Sequence, residues 1–101
     1  MSAMNIHKNN FQQEGLNSEE TVLLVFWASW CGPCRMVSPI LDQIAQERPD
    51  VKICKINVDE EPELASQYQI MSIPTLMVVK DGQITNKATG ARPKAQILAM
   101  L

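Results

Sequence analysis

An unbroken run of apolar residues, Val22–Phe26, constrains the fold of this chain more than any other feature. A strand with one face in water alternates apolar and polar residues, whereas a strand buried on both faces is apolar throughout. Gly32 and Pro33 then end the strand, and from Cys34 to about Glu47 apolar residues recur at helical spacing. The residues on this helical face are Met36, Val37, Ile40, Leu41 and Ile44. The run therefore predicts an interior strand of a sheet that helices cover.

Further strands and helices are predicted downstream. The segments that favour them are, in chain order, Val51–Val58 (strand), Glu60–Tyr68 (helix with an acidic start), Thr75–Lys80 (strand), Gln83–Thr89 (polar edge strand) and Pro93–Leu101 (helix). Asp81-Gly82 predicts a hairpin turn between the last two strands, and residues 1–20 predict a short strand and helix that cover the core. Because a crossover helix joins the first two clear strands, those strands should be parallel, and the hairpin adds antiparallel ones. The sequence thus predicts an α/β fold with a mixed sheet, in one domain spanning residues 1–101.

The composition excludes several classes of protein. Of the 101 residues, 46% are hydrophobic and 20% charged, which is enough apolar material for a core and excludes disorder as the main state. A net charge of -2 argues against a nucleic-acid binder with a basic surface. No apolar run approaches the roughly 20 residues that span a bilayer. Met1–Lys8 lacks the apolar stretch of a secretory leader, which predicts a cytoplasmic protein or a chain whose leader has been removed.

The segment Trp30-Cys31-Gly32-Pro33-Cys34 carries the chemistry, because it lies where the buried strand ends and the helix begins. Cys31 precedes the first helical turn, where unpaired N–H groups and the helix dipole stabilise a thiolate and lower the pKa of the thiol. A thiolate is the nucleophile of thiol–disulfide exchange. Cys34, one turn further on, should be less exposed and should attack second. Pro33 restricts the backbone of the loop.

Two other interpretations of the cysteine spacing remain open. The two cysteines could form half of a zinc site, but the only other candidate ligands, Cys54 and His7, lie at no recognisable spacing. They could form a structural disulfide, but so small a loop would stabilise the fold little. With three cysteines in total, a disulfide-stapled secreted scaffold is excluded.

Beyond the spacing itself, the segment Phe26–Met36 resembles the active-site segment of the thioredoxin family. Ile73-Pro74-Thr75 resembles the cis-proline loop of that family. The other matching segments are Lys55–Asp59, Lys80–Gly82 and Gly90-Ala91. The similarity is in register from about Thr21 to the end of the sequence and is weak before it.

The resemblance implies a thioredoxin fold, in which helices flank a central mixed sheet on both faces. It implies a protein disulfide reductase that performs dithiol–disulfide exchange, takes part in electron transport and contributes to cell redox homeostasis. No bound cofactor and no metal are implied, only the redox-active Cys31–Cys34 disulfide. The implied partners are disulfide-containing client proteins and a flavoprotein thioredoxin reductase that uses NADPH. A monomer without nucleic-acid or membrane partners is the simplest expectation.

The resemblance also assigns roles to residues around the two cysteines. Pro74 would be cis and face them, leaving the backbone of Ile73 free to bind an extended client; a plain proline at a strand start is the alternative. Gly32 and Pro33 would shape the loop. The implied docking surface consists of Trp30, Gly32, Pro33, Ile73, Gly90 and Ala91.

One position departs from the family pattern. Thioredoxins usually carry a buried aspartate, credited with helping to deprotonate the second cysteine, where this sequence has Val25. Lys55 shares a strand face with Val51 and Ile53, so partial burial is expected. One hypothesis is that Lys55 assists ionisation of Cys34; the alternative is that its ammonium group reaches solvent and has no chemical role.

Three further expectations concern the remaining sulfur residues and the function. Cys54 lies mid-strand and is expected to be a small buried hydrophobe rather than a regulatory thiol. Met36 and Met71 are expected to line the core or the groove. Two other functions compete with the reductase: a thioredoxin-like binding subunit that uses the groove around Pro74 without turnover, and an oxidant or isomerase of an oxidising compartment. The two cysteines argue against the first, and Gly32-Pro33 argues against the second.

Overall fold

The computed structural model describes residues 3–101. The strands are β1 (Met4–Asn5), β2 (Thr21–Trp27), β3 (Val51–Asn57), β4 (Thr75–Lys80) and β5 (Gln83–Thr89). The α-helices are α1 (Gly32–Glu47), α2 (Pro62–Gln67) and α3 (Lys94–Met100), and a π-helical segment covers Phe11–Leu16. The element order predicted from the sequence is therefore confirmed, with boundaries that move by one or two residues.

A single five-stranded sheet forms in the order β1-β3-β2-β4-β5. Strand β3 is parallel to both β1 and β2, whereas β4 is antiparallel to β2 and to β5. The predicted mixed sheet is confirmed, and the apolar run lies in its central strand. At the hairpin, Asp81 and Gly82 both have positive φ angles, 52° and 76°, as a tight two-residue turn between twisted strands requires.

The core has two layers because alternate residues of β2 point to opposite faces of the sheet. Val22, Leu24 and Phe26 pack on one face, with Phe11 and Leu64 of the π-helical segment and α2. On the other face, Leu23 and Val25 pack against α1 and α3. The helix residues in this layer are Val37, Leu41 and Ile44 of α1 and Ile97 of α3. Helices thus cover both faces, which explains why every residue of the run is buried.

The helical face predicted for α1 is wrong at one residue. Met36 is 68% exposed, whereas the buried residues of the helix are Cys34, Val37, Leu41 and Ile44. Their spacing of three and four residues defines a stripe centred away from Met36, which lies 100° around the helix from Val37. Pro39 lies inside the helix. Among residues 3–101, no helix is long and apolar enough to cross a bilayer.

Candidate active site

The end of β2 and the start of α1 place the two cysteines together. Cys31 is the N-cap of α1, and its Sγ accepts a hydrogen bond from the backbone N–H of Cys34 at 3.2 Å. The N–H of Cys31 donates to the carbonyl oxygen of Ala28, also at 3.2 Å, which fixes the turn that leaves the strand. The first N–H groups of a helix lack intrahelical acceptors, so negative charge on Cys31 Sγ would be stabilised there.

Cys31 and Cys34 form a disulfide, with their Cα atoms 5.3 Å apart. Both cysteines are buried in this oxidised form, Cys31 at 4% and Cys34 at 7% exposed, so the predicted lower exposure of Cys34 is not seen. The reason is tertiary packing, since Val58 and Ile73 cover the cysteines from other parts of the chain. Cys31 Sγ lies 3.7 Å from the carbonyl oxygen of Ile73. Position along the helix alone does not reveal such a cover.

The loop before β4 faces the two cysteines. The Ile73–Pro74 peptide bond is cis, as the family resemblance predicts. The hydroxyl of Thr75 donates to the carbonyl oxygen of Ser72 at 2.7 Å. The N–H of Gly90 donates to the carbonyl oxygen of Pro74 at 2.8 Å. These hydrogen bonds fix the conformation of the loop and place Gly90 next to Pro74.

A groove with a cavity of about 430 Å³, here called the docking cavity, opens beside Cys31. It is lined by Trp30, Cys31, Gly32, Pro33, Val58, Ile70, Met71, Ser72 and Ile73. Trp30 is 66% exposed, and its Nε1 donates to Asp59 at 2.8 Å. Gly90 and Ala91 do not line this cavity, so their part in the docking surface stays a prediction.

A second cavity of about 210 Å³, here called the Lys55 cavity, lies beside Cys34. Val25, Trp27, Lys55 and Pro74 are among the residues that line it with Cys34. Val25 is buried and stands opposite Lys55 in the β2–β3 register. Lys55 is half-buried, and its Nζ lies 4.7 Å from the ring centroid of Trp27, a cation–π contact. The structure therefore brings together the two positions that the departure from the family pattern singled out.

Cys54 has a different environment. It is fully buried in β3, and its Sγ lies 3.9 Å from the carbonyl oxygen of Glu14. Burial raises the pKa of Cys54 to about 11, because the apolar surroundings disfavour the thiolate. The expectation of a buried hydrophobe is confirmed.

His7 was the remaining candidate ligand for a metal. Its Nδ1 lies 3.4 Å from a carboxylate oxygen of Glu61. Among residues 3–101, no group of three or more His, Cys, Asp or Glu side chains is arranged to hold a metal ion.

Comparison with known proteins agrees with this geometry. The family model for thioredoxin matches residues 2–101. This chain belongs to the thioredoxin family. It is 57% identical to thioredoxin 1 of Synechococcus elongatus over 88 residues, which cover 86% of this chain and 82% of that protein. It is 50% identical to thioredoxin 1 of a Nostoc species over 97 residues, covering 95% of this chain and 91% of the relative.

A solved structure of this fold shows the same architecture. The chain comes from a study of the thiol-resolving mechanism in yeast mitochondrial 1-Cys peroxiredoxin via glutathione/thioredoxin systems. Its TM-score to the present thioredoxin-family chain is 0.87, at 32% sequence identity, and the match covers 98% of this chain and 93% of that one. The predicted thioredoxin fold is confirmed.

Family membership and the cysteine disulfide together define the activity. As a thioredoxin, this protein is a protein-disulfide oxidoreductase that reduces disulfides by dithiol–disulfide exchange. Its substrates are disulfide-containing proteins, and a reductase returns it to the dithiol form.

Sequence reasoning missed three residues that line the docking cavity, namely Val58, Ile70 and Ser72. Val58 directly follows β3, and Ile70 and Ser72 lie three residues and one residue before Ile73. The usable signal was that Val58 lies within the matching segment Lys55–Asp59 and that Ile70 and Ser72 lie close to the matching segment Ile73-Pro74-Thr75.

Proposed function

We propose that Cys31 is the nucleophile and Cys34 the resolving cysteine of this thioredoxin. In the reduced protein the Cys31 thiolate attacks one sulfur of a client disulfide, so that a Cys31–client disulfide forms and the client S–S bond breaks. The departing client sulfur takes up a proton. Cys34 then loses its proton and attacks Cys31 Sγ, which closes the Cys31–Cys34 disulfide and releases the second client sulfur as a thiol. Two electrons pass from the dithiol to the client.

The N-cap position of Cys31 is the observation that carries this assignment. Its Sγ already accepts the N–H of Cys34 at 3.2 Å, a bond that strengthens when the acceptor is charged. Cys34 lies within α1, and its own sulfur has no comparable position at the helix start. The order of attack follows from this difference rather than from exposure.

The surrounding residues hold the loop and receive the client. Gly32 and Pro33 form the exposed start of α1. An extended client segment would bind along the Ile73 backbone beside Pro74, with Trp30 as an exposed apolar contact. Gly90 and Ala91 would extend this surface on the far side of the loop.

Lys55 is proposed as a positioning residue for the second step. Because Val25 cannot accept a proton, no carboxylate at that position can act as a base for Cys34. Lys55 lines the same cavity as Cys34, and a positive charge near that cavity would favour the thiolate of the resolving cysteine. Its contact with Trp27 supports a defined position rather than a free surface lysine.

The proposed setting is that of a reducing electron carrier. The reductase would be the NADPH-linked flavoprotein thioredoxin reductase, and the protein would work as a cytoplasmic monomer in cell redox homeostasis and electron transport. It would bind no cofactor besides its own redox-active disulfide, and neither nucleic acid nor a membrane. Residues 1–101 would form one domain, of which residues 1 and 2 lie outside the described part.

Insulin reduction tests this proposal. Wild-type protein should accelerate the reduction of insulin by dithiothreitol, and should do so with NADPH and thioredoxin reductase in place of dithiothreitol. A Cys34→Ser variant should accumulate a covalent Cys31–client disulfide, detectable by non-reducing electrophoresis, because the second step is blocked. Client binding without insulin turnover would instead support the binding-subunit function.

A further inference from the structure

Of the methionines in residues 3–101, two are largely exposed, and one of these two lies at the active site. Met71 is 96% exposed and lines the docking cavity together with Cys31. Met36 is 68% exposed on α1 and is not among the residues that line this cavity. Exposing a long apolar side chain to water is unfavourable, so a methionine that projects from a reactive groove is a candidate contact for whatever enters it.

The geometry places Met71 next to the attacked residue of a client. Cys31 Sγ lies 3.7 Å from the carbonyl oxygen of Ile73, so a client sulfur that bonds to Cys31 must stand beside Ile73. Met71 precedes Ile73 by two residues, a separation of at most about 7 Å along the chain. An extended client spans this distance with two residues, and side chains two residues apart point to the same face. The client residue that meets Met71 therefore lies within about two positions of the attacked cysteine.

The chemistry of the cavity favours an apolar client residue at that place. Among the described residues, the nine that line the docking cavity carry no charged side chain. At its border, the carboxylate of Asp59 accepts the Trp30 N–H and would repel an acidic client side chain. Methionine is flexible and polarisable, and it makes favourable sulfur contacts with aromatic rings.

We propose that Met71 is a specificity-determining residue, which selects clients that carry an aromatic or long aliphatic side chain within two residues of the attacked cysteine. The occupant is the extended segment of a disulfide-containing client whose sulfur bonds to Cys31. This proposal rests on the nucleophilic role proposed for Cys31. It adds a preference for the sequence around the client disulfide.

The test uses two disulfide-bonded peptides that differ only at the second residue on either side of each cysteine, where one has Phe and the other Glu. Steady-state kcat/KM is measured for both peptides with the wild type and with Met71→Lys, Met71→Leu and Met36→Lys. The two lysine variants add the same charge at two exposed methionines, so Met36→Lys controls for a general charge effect. Wild-type protein should prefer the Phe peptide by about tenfold, a typical value for one apolar contact in a specificity site.

The preference should fall to about one in Met71→Lys and persist in Met71→Leu and Met36→Lys. A wild type without preference would overturn the proposal, and so would a Met71→Lys protein that keeps the full preference. An equal loss in Met36→Lys would also overturn it, since the cause would then be net charge. Failure of the reductase mechanism looks different, because neither peptide would then be turned over by the wild type.

Discussion

The start of α1 and the middle of β3 each bury cysteine sulfur, yet they give it opposite chemistry. Cys31 and Cys34 are 4% and 7% exposed, and Cys54 is 0% exposed, so burial does not separate them. What separates them is the backbone around each sulfur. Both Cys31 Sγ and Cys54 Sγ lie near a backbone carbonyl oxygen, that of Ile73 at 3.7 Å and that of Glu14 at 3.9 Å, but only Cys31 Sγ also accepts an N–H group at a helix start. An N–H donor stabilises a thiolate, whereas burial without such a donor raises the pKa of Cys54, so the donor at the helix start decides which thiol reacts.

The largest effect should come from removing the sulfur at the helix start. Cys31→Ser should lower the rate of insulin reduction by at least about a thousandfold, because a hydroxyl group does not replace a thiolate in disulfide exchange. Cys54→Ala is the matched control and should retain the wild-type rate, since Cys54 lies in the sheet away from the docking cavity. Full turnover by Cys31→Ser would refute the proposed mechanism.

The buried thiol should instead affect stability at high pH. The pKa of Cys54 is raised to about 11 in the folded state by burial, against about 8.5 for a free cysteine. Between these values the unfolded chain has lost the proton and the folded chain has kept it. Stability therefore falls as pH rises through this window, by at most about 1.4 kcal/mol per pH unit.

Urea unfolding of the oxidised protein at several pH values measures this loss, because Cys31 and Cys34 do not titrate while they form the disulfide. Other groups titrate in the same range, so the comparison is with Cys54→Ala, in which the decline from pH 9 to 11 should be shallower. Parallel pH profiles for the two proteins would show that folding does not raise the pKa of the Cys54 thiol.

A charge placed in the buried central strand of the sheet should also lower the stability of the fold. Val25→Asp puts a carboxylate in the buried central strand, opposite the half-buried Lys55, and should lower the free energy of unfolding by about 2 kcal/mol at pH 7. Val25→Asn controls for shape and polarity without charge. Because burial raises the pKa of a carboxyl group, the loss in Val25→Asp should shrink as pH falls. An aspartate variant as stable as the wild type would contradict this account of Val25.

The smallest effect concerns the second step of exchange. Lys55→Met should slow the release of product from the Cys31–client disulfide about threefold to tenfold at pH 7 and move the pH dependence of that step upward, since a nearby positive charge favours the Cys34 thiolate. Lys52→Met is the control, because Lys52 lies on the same strand but contacts Glu14 instead of the Lys55 cavity. If neither Lys55→Met nor Val25→Asp changes the pH dependence of this step, the proposed role of Lys55 is wrong.

Patterns within one element predicted most of the fold. The apolar run identified β2 as an interior strand, and Asp81-Gly82 identified the hairpin, because burial on two faces and positive φ angles each leave a local signature. The helical spacing after Cys34 identified α1 but included Met36, since five apolar residues define a face only approximately.

The site was less predictable, because it is assembled from distant segments. The position of Cys31 at a helix start could be inferred locally. Its cover by Val58 and Ile73 could not, and neither could the contact of Lys55 with Trp27, since both depend on how the sheet brings loops together. For this reason the sequence did not predict that Cys31 is buried like Cys34.

The titration of Cys31 tests the central claim most directly. In a Cys34→Ser protein, the rate of alkylation of Cys31 by iodoacetamide is followed against pH, with Cys54 protonated over most of the range because its pKa is about 11. The N-cap position predicts a pKa for Cys31 clearly below the value of about 8.5 for a free cysteine. A Cys31 thiol that titrates at or above about 8.5 would contradict the claim that the helix start activates it.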